Sequence, residues 1–338
     1  MLVTYLQFWL LSSCVAEKSH IINKQDDQQK IYASGNVVLQ DQDVYQNVSD
    51  INKWFMMESP WPVIGIASFY LFFVLKLGPN FMSNKKAYSL KPLILFYNLV
   101  QVVFSSWWSF TALLNISKTK TLSFMECACR PHIVAPELTY EIDSMAWYYL
   151  MSKFVELLDT VFFVLRRKQN QITFLHVYHH TNMAVSTWAF TKFVKGIQTL
   201  PIGLCNTFVH ILMYGYYLLA ALGPKVHKYL WWKKYITRAQ ISQFLVIIIY
   251  LVLLMSGSEC TVPNAFIIFA VFNTSSFLIL FYKFYMTSYK SRSQKLATST
   301  SAVAAIVNNH SDSNSTDNVK MLELMATNNN VTNCKKKC

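Results

Sequence analysis

The sequence predicts an all-α, polytopic membrane protein with seven transmembrane helices, and three observations lead there. Hydrophobic residues make up 53% of the 338-residue chain and charged residues only 14%, with a mean hydropathy of +0.27, high for a soluble protein of this length. Apolar stretches close to the roughly 20 residues that cross a bilayer recur along the chain. Strand-length alternation of apolar and polar residues does not recur, so helices rather than a barrel of strands must satisfy the backbone in lipid.

The predicted spans are 61–77, 92–114, 145–165, 172–190, 202–222, 239–255 and 265–286. No internal repeat relates them. The net charge of +13 would suggest nucleic acid in a soluble chain, but between apolar spans it reads as orientation, and no nucleic-acid partner is expected. The segments around 76–91, 166–171 and 223–238 carry twelve Lys/Arg, including Arg166, Arg167, Lys168, Lys233 and Lys234. The opposite loops carry five. The expected topology therefore has the N-terminus lumenal and the C-terminus cytosolic.

The chain ends fit that topology. Residues 1–54 form a lumenal extension. Its apolar start, 1–16, resembles a signal segment without the usual basic residues, so cleavage stays open. The sequon at Asn47 lies in this extension, where it can be glycosylated. Residues 55–290 hold the helices. Residues 291–338, rich in Ser, Thr and Asn, form an expected disordered cytosolic tail. Lys335 and Lys336 near its end match the dilysine pattern that returns membrane proteins to the endoplasmic reticulum.

Polar residues inside the spans cost a few kcal/mol each unless paired or facing water, which makes them candidates for function. The third span carries Lys153, Glu156 and Asp159 three residues apart. The fourth carries His176, His179 and His180, and the fifth His210, Tyr214 and Tyr217. The sixth opens with Thr237, Gln240 and Gln243. At ~1.5 Å per residue, Asp159, His179 and Tyr214 lie about 10–12 Å from the cytosolic ends of their helices. The four stripes fit one cavity. Any single stripe also reads as helix-to-helix hydrogen bonding.

Two other classes share some of these features. A metal-dependent lipid oxidase uses similar histidine boxes but needs about eight histidines for two irons, and only four of the eight here fall inside spans. No metal is expected, and seven cysteines without CxxC spacing argue against a zinc module. A seven-helix receptor or transporter has the same topology, but its polar cavity would be expected toward the lumen.

Four motifs together carry a resemblance: Lys153-x-x-Glu156-x-x-Asp159-Thr160, His176-x-x-His179-His180, His210-x-x-Met213-Tyr214-x-Tyr216-Tyr217 and Thr237-x-x-Gln240-x-x-Gln243. In order and spacing the chain resembles the ELO family of very-long-chain fatty acid elongases over about residues 55–290. The first 50 residues are longer than the family usually shows.

The resemblance implies a 3-oxoacyl-CoA synthase of the endoplasmic reticulum membrane, which condenses a long- or very-long-chain acyl-CoA with malonyl-CoA and releases carbon dioxide and CoA. No bound cofactor is expected; malonyl-CoA is the co-substrate. It implies six helices forming an inverted barrel around an acyl tunnel, with the first helix outside. Other enzymes of the elongation cycle, membrane lipid and further copies of the chain are the expected partners.

For the reaction, His179 is expected to attack the thioester, with His210 as orienting base or proton partner and His176 and His180 binding malonyl-CoA; a simpler route, left open, binds both CoA esters together with the histidines acting only as bases and hydrogen-bond donors. Lys153, Glu156 and Asp159 would set histidine tautomers and hold the polar network at the mouth. Tyr214, Tyr217, Gln240 and Gln243 would line the substrate path. Arg166, Arg167, Lys168, Lys233 and Lys234 would receive CoA phosphates. A disulfide is expected between Cys260 and either Cys127 or Cys129. The resemblance of Cys129-Arg130-Pro131 to the family's Cys-x-Pro favours Cys129.

Overall fold

In a computed structural model, residues 51–119, 134–194, 196–256 and 262–290 are described. Asn47, Cys127, Cys129, Cys260, the extension up to residue 50 and the tail from 291 lie outside them. The chain divides into the units Met1–Tyr282 and Lys283–Cys338; of the second, the described residues end the last helix.

The long elements are all helical: α1 (Trp61–Met82), α2 (Lys91–Lys118), α3 (Pro136–Glu156), α4 (Leu158–Leu165), α5 (Phe174–Phe193), α6 (Leu200–Leu222), α7 (Lys233–Ser256) and α8 (Asn264–Tyr285). Proline stands in the first turn of α1, α2, α3 and α6, where its fixed φ suits the helix and its missing N–H costs nothing. None of these four helices has a side-chain capping bond at its N-terminus, not even α6, where Thr199 stands at the cap but donates to the Gly196 carbonyl.

Among the described residues five helices are long and apolar enough to cross a membrane: Trp61–Met82, Lys91–Lys118, Ile197–Leu222, Lys233–Ser256 and Asn264–Tyr289. This is fewer than the seven spans expected, and the difference has a physical reason. The third and fourth expected spans are helical, but α3 and α5 carry the very polar residues that lower their hydropathy. The third expected span is corrected at both levels. It begins at Pro136 rather than near 145, and it breaks at Leu157, whose N–H turns to the carbonyl of Phe154 in a tightened turn. The break separates Lys153 and Glu156 from Asp159.

Helix pairs are fixed by specific contacts. α2 and α6 approach closely at Gly203, where an added Cβ would lie 2.3 Å from the Trp108 ring. Trp108 in turn donates from Nε1 to the carbonyl of Met145 on α3 at 2.9 Å, so one indole joins three helices. Ser109 and Thr207 share a 2.8 Å hydrogen bond across the same α2–α6 seam. α5 meets α8 through Phe190 with Phe266 and Phe269, and α7 meets α8 through Phe244 with Phe277. α3 and α6 also pack against α5 and α7 respectively, and α1 packs against α5.

The segment before α1 is held by side-chain donors from α3 and α5. Trp147 Nε1 donates to the carbonyl of Phe55 at 3.0 Å and Trp188 Nε1 to that of Met56 at 2.9 Å, while Lys192 Nζ reaches the carbonyl of Met57. Ile51 and Met57 are fully buried there. These bonds anchor the start of α1 to the two helices that carry the polar motifs.

Candidate functional site

The histidine helix α5 begins at Thr173, whose hydroxyl accepts the His176 N–H at 3.3 Å, a side-chain cap that fixes the first turn. Spacing of three and four residues then stacks the histidines on one side. The rings of His176 and His180 lie 4.4 Å apart, and those of His179 and His180 5.4 Å apart. His176 Nε2 lies 2.9 Å from the Thr160 hydroxyl. His179 instead packs edge-on against Phe277 and Phe281 of α8. Its ring nitrogens make no hydrogen bond among the described residues.

Behind the histidines lies a buried ionic cluster. Lys153 Nζ donates to Glu156 Oε1 at 2.6 Å and to Asn206 Oδ1 at 2.9 Å, and sits 4.4 Å from the centre of the Tyr149 ring. Tyr149 donates to the same Asn206 oxygen at 2.7 Å. His210 Nδ1 approaches Glu156 Oε1 at 3.3 Å. Lys153 and Glu156 are 2% and 3% exposed; at that burial the charges are tolerable only as a pair with further hydrogen bonds, which Asn206 and His210 supply.

Asp159, beyond the break, belongs to a second cluster. Tyr214 donates to its Oδ2 at 2.7 Å. The Tyr97 ring packs edge-on against Tyr214, and Gln101 Nε2 donates to the Tyr97 hydroxyl at 3.0 Å. The shared stripe expected for Lys153, Glu156 and Asp159 is thus divided between two networks.

The site opens onto a cavity of about 120 Å³. His179, Gln243 and Phe277 line one end, and Trp108, Thr191 and Leu251 the other. Twelve helical steps along α5 from His179 to Thr191 make it roughly 18 Å long. A smaller void lies one turn further on and shares Phe190, Thr199, Ile202 and Leu251 with it.

Of the residues expected from sequence, His179 and Gln243 stand on the cavity wall. His176, His180, His210, Lys153, Glu156, Asp159 and Tyr214 are connected behind it. Gln240 donates to the Met213 sulfur at 3.7 Å. Tyr217 is exposed and packs against Tyr214 and Tyr216. Arg166, Lys233 and Lys234 are exposed and Lys168 half-buried; Arg167 Nη1 donates to the carbonyl of Lys85 at 3.0 Å.

Sequence reasoning missed Tyr70, Tyr97, Gln101, Tyr149 and Asn206. Asn206 and Tyr149 each stand four residues before an expected residue, His210 and Lys153, and both line the cavity. That i−4 spacing was the available signal. Among the described residues no group of three or more His, Cys, Asp or Glu is placed to hold a metal ion.

A family model described as ELO: GNS1/SUR4 family matches residues 55–297. The chain is 39% identical over 251 residues to a very long chain fatty acid elongase of Aedes aegypti, covering 74% of this chain and 69% of that protein. It is 38% identical over 257 residues to very long chain fatty acid elongase 7 of Drosophila melanogaster, covering 75% and 77%. The chain belongs to the ELO family. Very long chain fatty acid elongase 4 of Homo sapiens is likewise 37% identical over 251 residues, 71% of this chain and 75% of that protein. The family match begins at 55, so it takes in the histidine helix, both buried clusters and the cavity, and leaves out the extension before α1.

Proposed function

We propose that this ELO-family protein performs fatty acid elongation as a very-long-chain 3-oxoacyl-CoA synthase. The observation that carries the reading is His179, a histidine with unengaged ring nitrogens at one end of a long, largely apolar cavity. The relatives named as very long chain fatty acid elongases support the acyl substrate.

An acyl chain lies along the cavity with its thioester at His179. The imidazole attacks the thioester carbon and CoA leaves as the thiol, taking the proton lost by the ring. The dry cavity protects the acyl-imidazole from water. Decarboxylation of malonyl-CoA then yields an enolate that attacks the acyl carbon, expelling neutral imidazole once a proton returns. The products are 3-oxoacyl-CoA, carbon dioxide and CoA. His210, held at Nδ1 by Glu156, has Nε2 available as a base or proton partner. His176 and His180 bind malonyl-CoA and stabilise the enolate. Arg166, Arg167, Lys168, Lys233 and Lys234 receive CoA phosphates at the cytosolic mouth.

The proposed frame is a ring of six spans, with α3 and α4 counted as one and α1 outside. The packing of α2 with α6, α6 with α7, α7 with α8, α8 with α5, α5 with α3 and α3 with α2 supports closure. Location in the endoplasmic reticulum, a lumenal N-terminus, a Cys129–Cys260 bridge and association with other elongation-cycle enzymes belong to the same proposal. Microsomes containing the chain are expected to incorporate labelled malonyl-CoA into 3-oxoacyl-CoA only when acyl-CoA is added. No acyl-CoA-dependent label from correctly folded protein overturns the reading.

A further inference from the structure

Helix α1 packs outside the polar clusters, yet one of its side chains reaches the histidine helix. Tyr70 is buried, and its hydroxyl lies 2.6 Å from Thr160 Oγ, which lies 2.9 Å from His176 Nε2. Thr160 is fully buried on α4. Three helices are joined by two hydrogen bonds. Around the chain Tyr70, Val74, Leu157 and Val177 form an apolar cluster, with Leu71, Phe73, Phe154 and Ile172 packed against it. Water is thereby kept from competing for these groups, and each bond polarises the next. α1 also widens into a π-helical turn at Phe73–Leu77, which begins three residues after Tyr70, a local irregularity that often accompanies functional positions.

The direction of the chain follows from its donors and acceptors. Thr160 has one hydroxyl proton and can spend it on only one neighbour. A phenol is the stronger donor of the two hydroxyls, and a neutral imidazole nitrogen is a better acceptor than a phenolic oxygen. That order of strengths favours Tyr70 donating to Thr160 and Thr160 donating to His176 Nε2, a direction the two distances alone do not set. With Nε2 accepting, the imidazole proton sits on Nδ1, which makes no hydrogen bond among the described residues. His176 then meets a ligand as a donor, whereas His179 keeps its ring nitrogens unengaged.

We infer that α1 is a positioning helix for the histidine box, in which Tyr70, through Thr160, locks His176 as the tautomer that carries its proton on Nδ1. The tautomer assignment stands on the two contacts and on the relative strength of their donors and acceptors. Its consequence, that His176 donates to the malonyl thioester while decarboxylation proceeds, rests on the synthase reading above. Tyr70 touches no substrate in this scheme and acts through Thr160.

The test uses full-length protein labelled with ¹⁵N-histidine, with the His176 signals identified by their loss in His176→Asn. The wild-type ring is expected to show a protonated Nδ1 and an unprotonated Nε2. Tyr70→Phe should give a mixture of tautomers, Thr160→Val should abolish the wild-type pattern, and Thr160→Ser should keep it. In turnover, Tyr70→Phe should lower kcat about tenfold, the equivalent of one hydrogen bond, with KM for acyl-CoA unchanged. A wild-type proton on Nε2, or an unaltered pattern in Thr160→Val, overturns the inference; so does loss of stability in Tyr70→Phe with tautomer and kcat as in the wild type. Should Tyr70→Phe fail to fold, the Thr160 pair decides alone. If the tautomer pattern responds as expected but no variant or wild type elongates acyl-CoA, the synthase reading fails and the relay stands.

Discussion

His210 Nδ1 lies 3.3 Å from the same Glu156 oxygen that Lys153 holds at 2.6 Å. One carboxylate thus balances a buried ammonium and fixes the tautomer of an imidazole, leaving His210 Nε2 with the lone pair. Glu156→Gln keeps the shape and removes the charge. It is expected to lower elongation by about 10²–10⁴-fold, the range attributable to a positioned base. Both variants leave the Lys153 ammonium without its counter-charge, and Glu156→Ala, which also removes the hydrogen-bond acceptor, should cost about 3–5 kcal/mol of stability. Turnover assays with thermal unfolding in detergent separate the two effects. A Gln variant that retains most of its activity removes Glu156 from this role.

The two cavities are divided by Phe190, Thr199, Ile202 and Leu251. Opening that wall should let an acyl chain extend by one helical turn, about 5.4 Å. An extended chain advances roughly 1.2 Å per bond, so Leu251→Ala should lengthen products by about four carbons, two rounds of elongation. Ala270→Leu, which fills the first cavity, should shorten them. Gas chromatography of lipids from expressing cells reads both. Identical product lengths in both variants would show that the cavity does not hold the chain.

Helix existence was legible in the sequence wherever a long apolar run met a proline start, as in α2 and α6. The four polar motifs were equally legible, because a charge or imidazole inside an apolar run stands out against its neighbours. The pairing was not. Spacing of three placed Asp159 on the stripe of Lys153 and Glu156, but the tightened turn at Leu157 sent it to Tyr214 instead. Tyr70, Tyr97 and Tyr149 escaped notice because a tyrosine in an apolar helix has the composition of ordinary packing. Only the hydrogen-bond partner distinguishes it: Thr160 or Asn206 on another helix, or Gln101 one turn along the same one. Asn206 carries the same lesson, since its amide oxygen acquires meaning from the two donors that converge on it.

Gly203 allows a close helix approach beside the cavity. A methyl group there would sit 2.3 Å and 2.9 Å from Trp108 ring carbons, and the indole is held by its bond to Met145. Gly203→Ala is therefore expected to destabilise the protein by about 1–3 kcal/mol through overpacking. Adding Trp108→Phe should restore part of the loss by making room. Thermal unfolding of the single and double variants checks this, and a Gly203→Ala melt equal to wild type would contradict it.

The proposed orientation puts Asn47 in the lumen and the tail sequons at Asn309, Asn314 and Asn330 in the cytosol. One glycan-dependent shift on gels is expected, abolished by Asn47→Gln. Sugar on any tail site would reverse the topology.

The covalent route makes the most specific demand. His179 stands on the cavity wall with no hydrogen bond to tie down its ring nitrogens, while aromatic rings of Phe277 and Phe281 fix its plane. If it accepts the acyl group, acyl-CoA alone should release about one equivalent of CoA per active site before malonyl-CoA is added, because the thioester is broken in the first half-reaction. His179→Ala should abolish that release, whereas His210→Ala should leave it slowed but present if His210 acts only as a proton partner. Wild-type protein that elongates at full rate yet releases no CoA from acyl-CoA alone would exclude the acyl-imidazole. In that outcome both thioesters are bound together, and the histidines serve as bases and hydrogen-bond donors to a direct condensation.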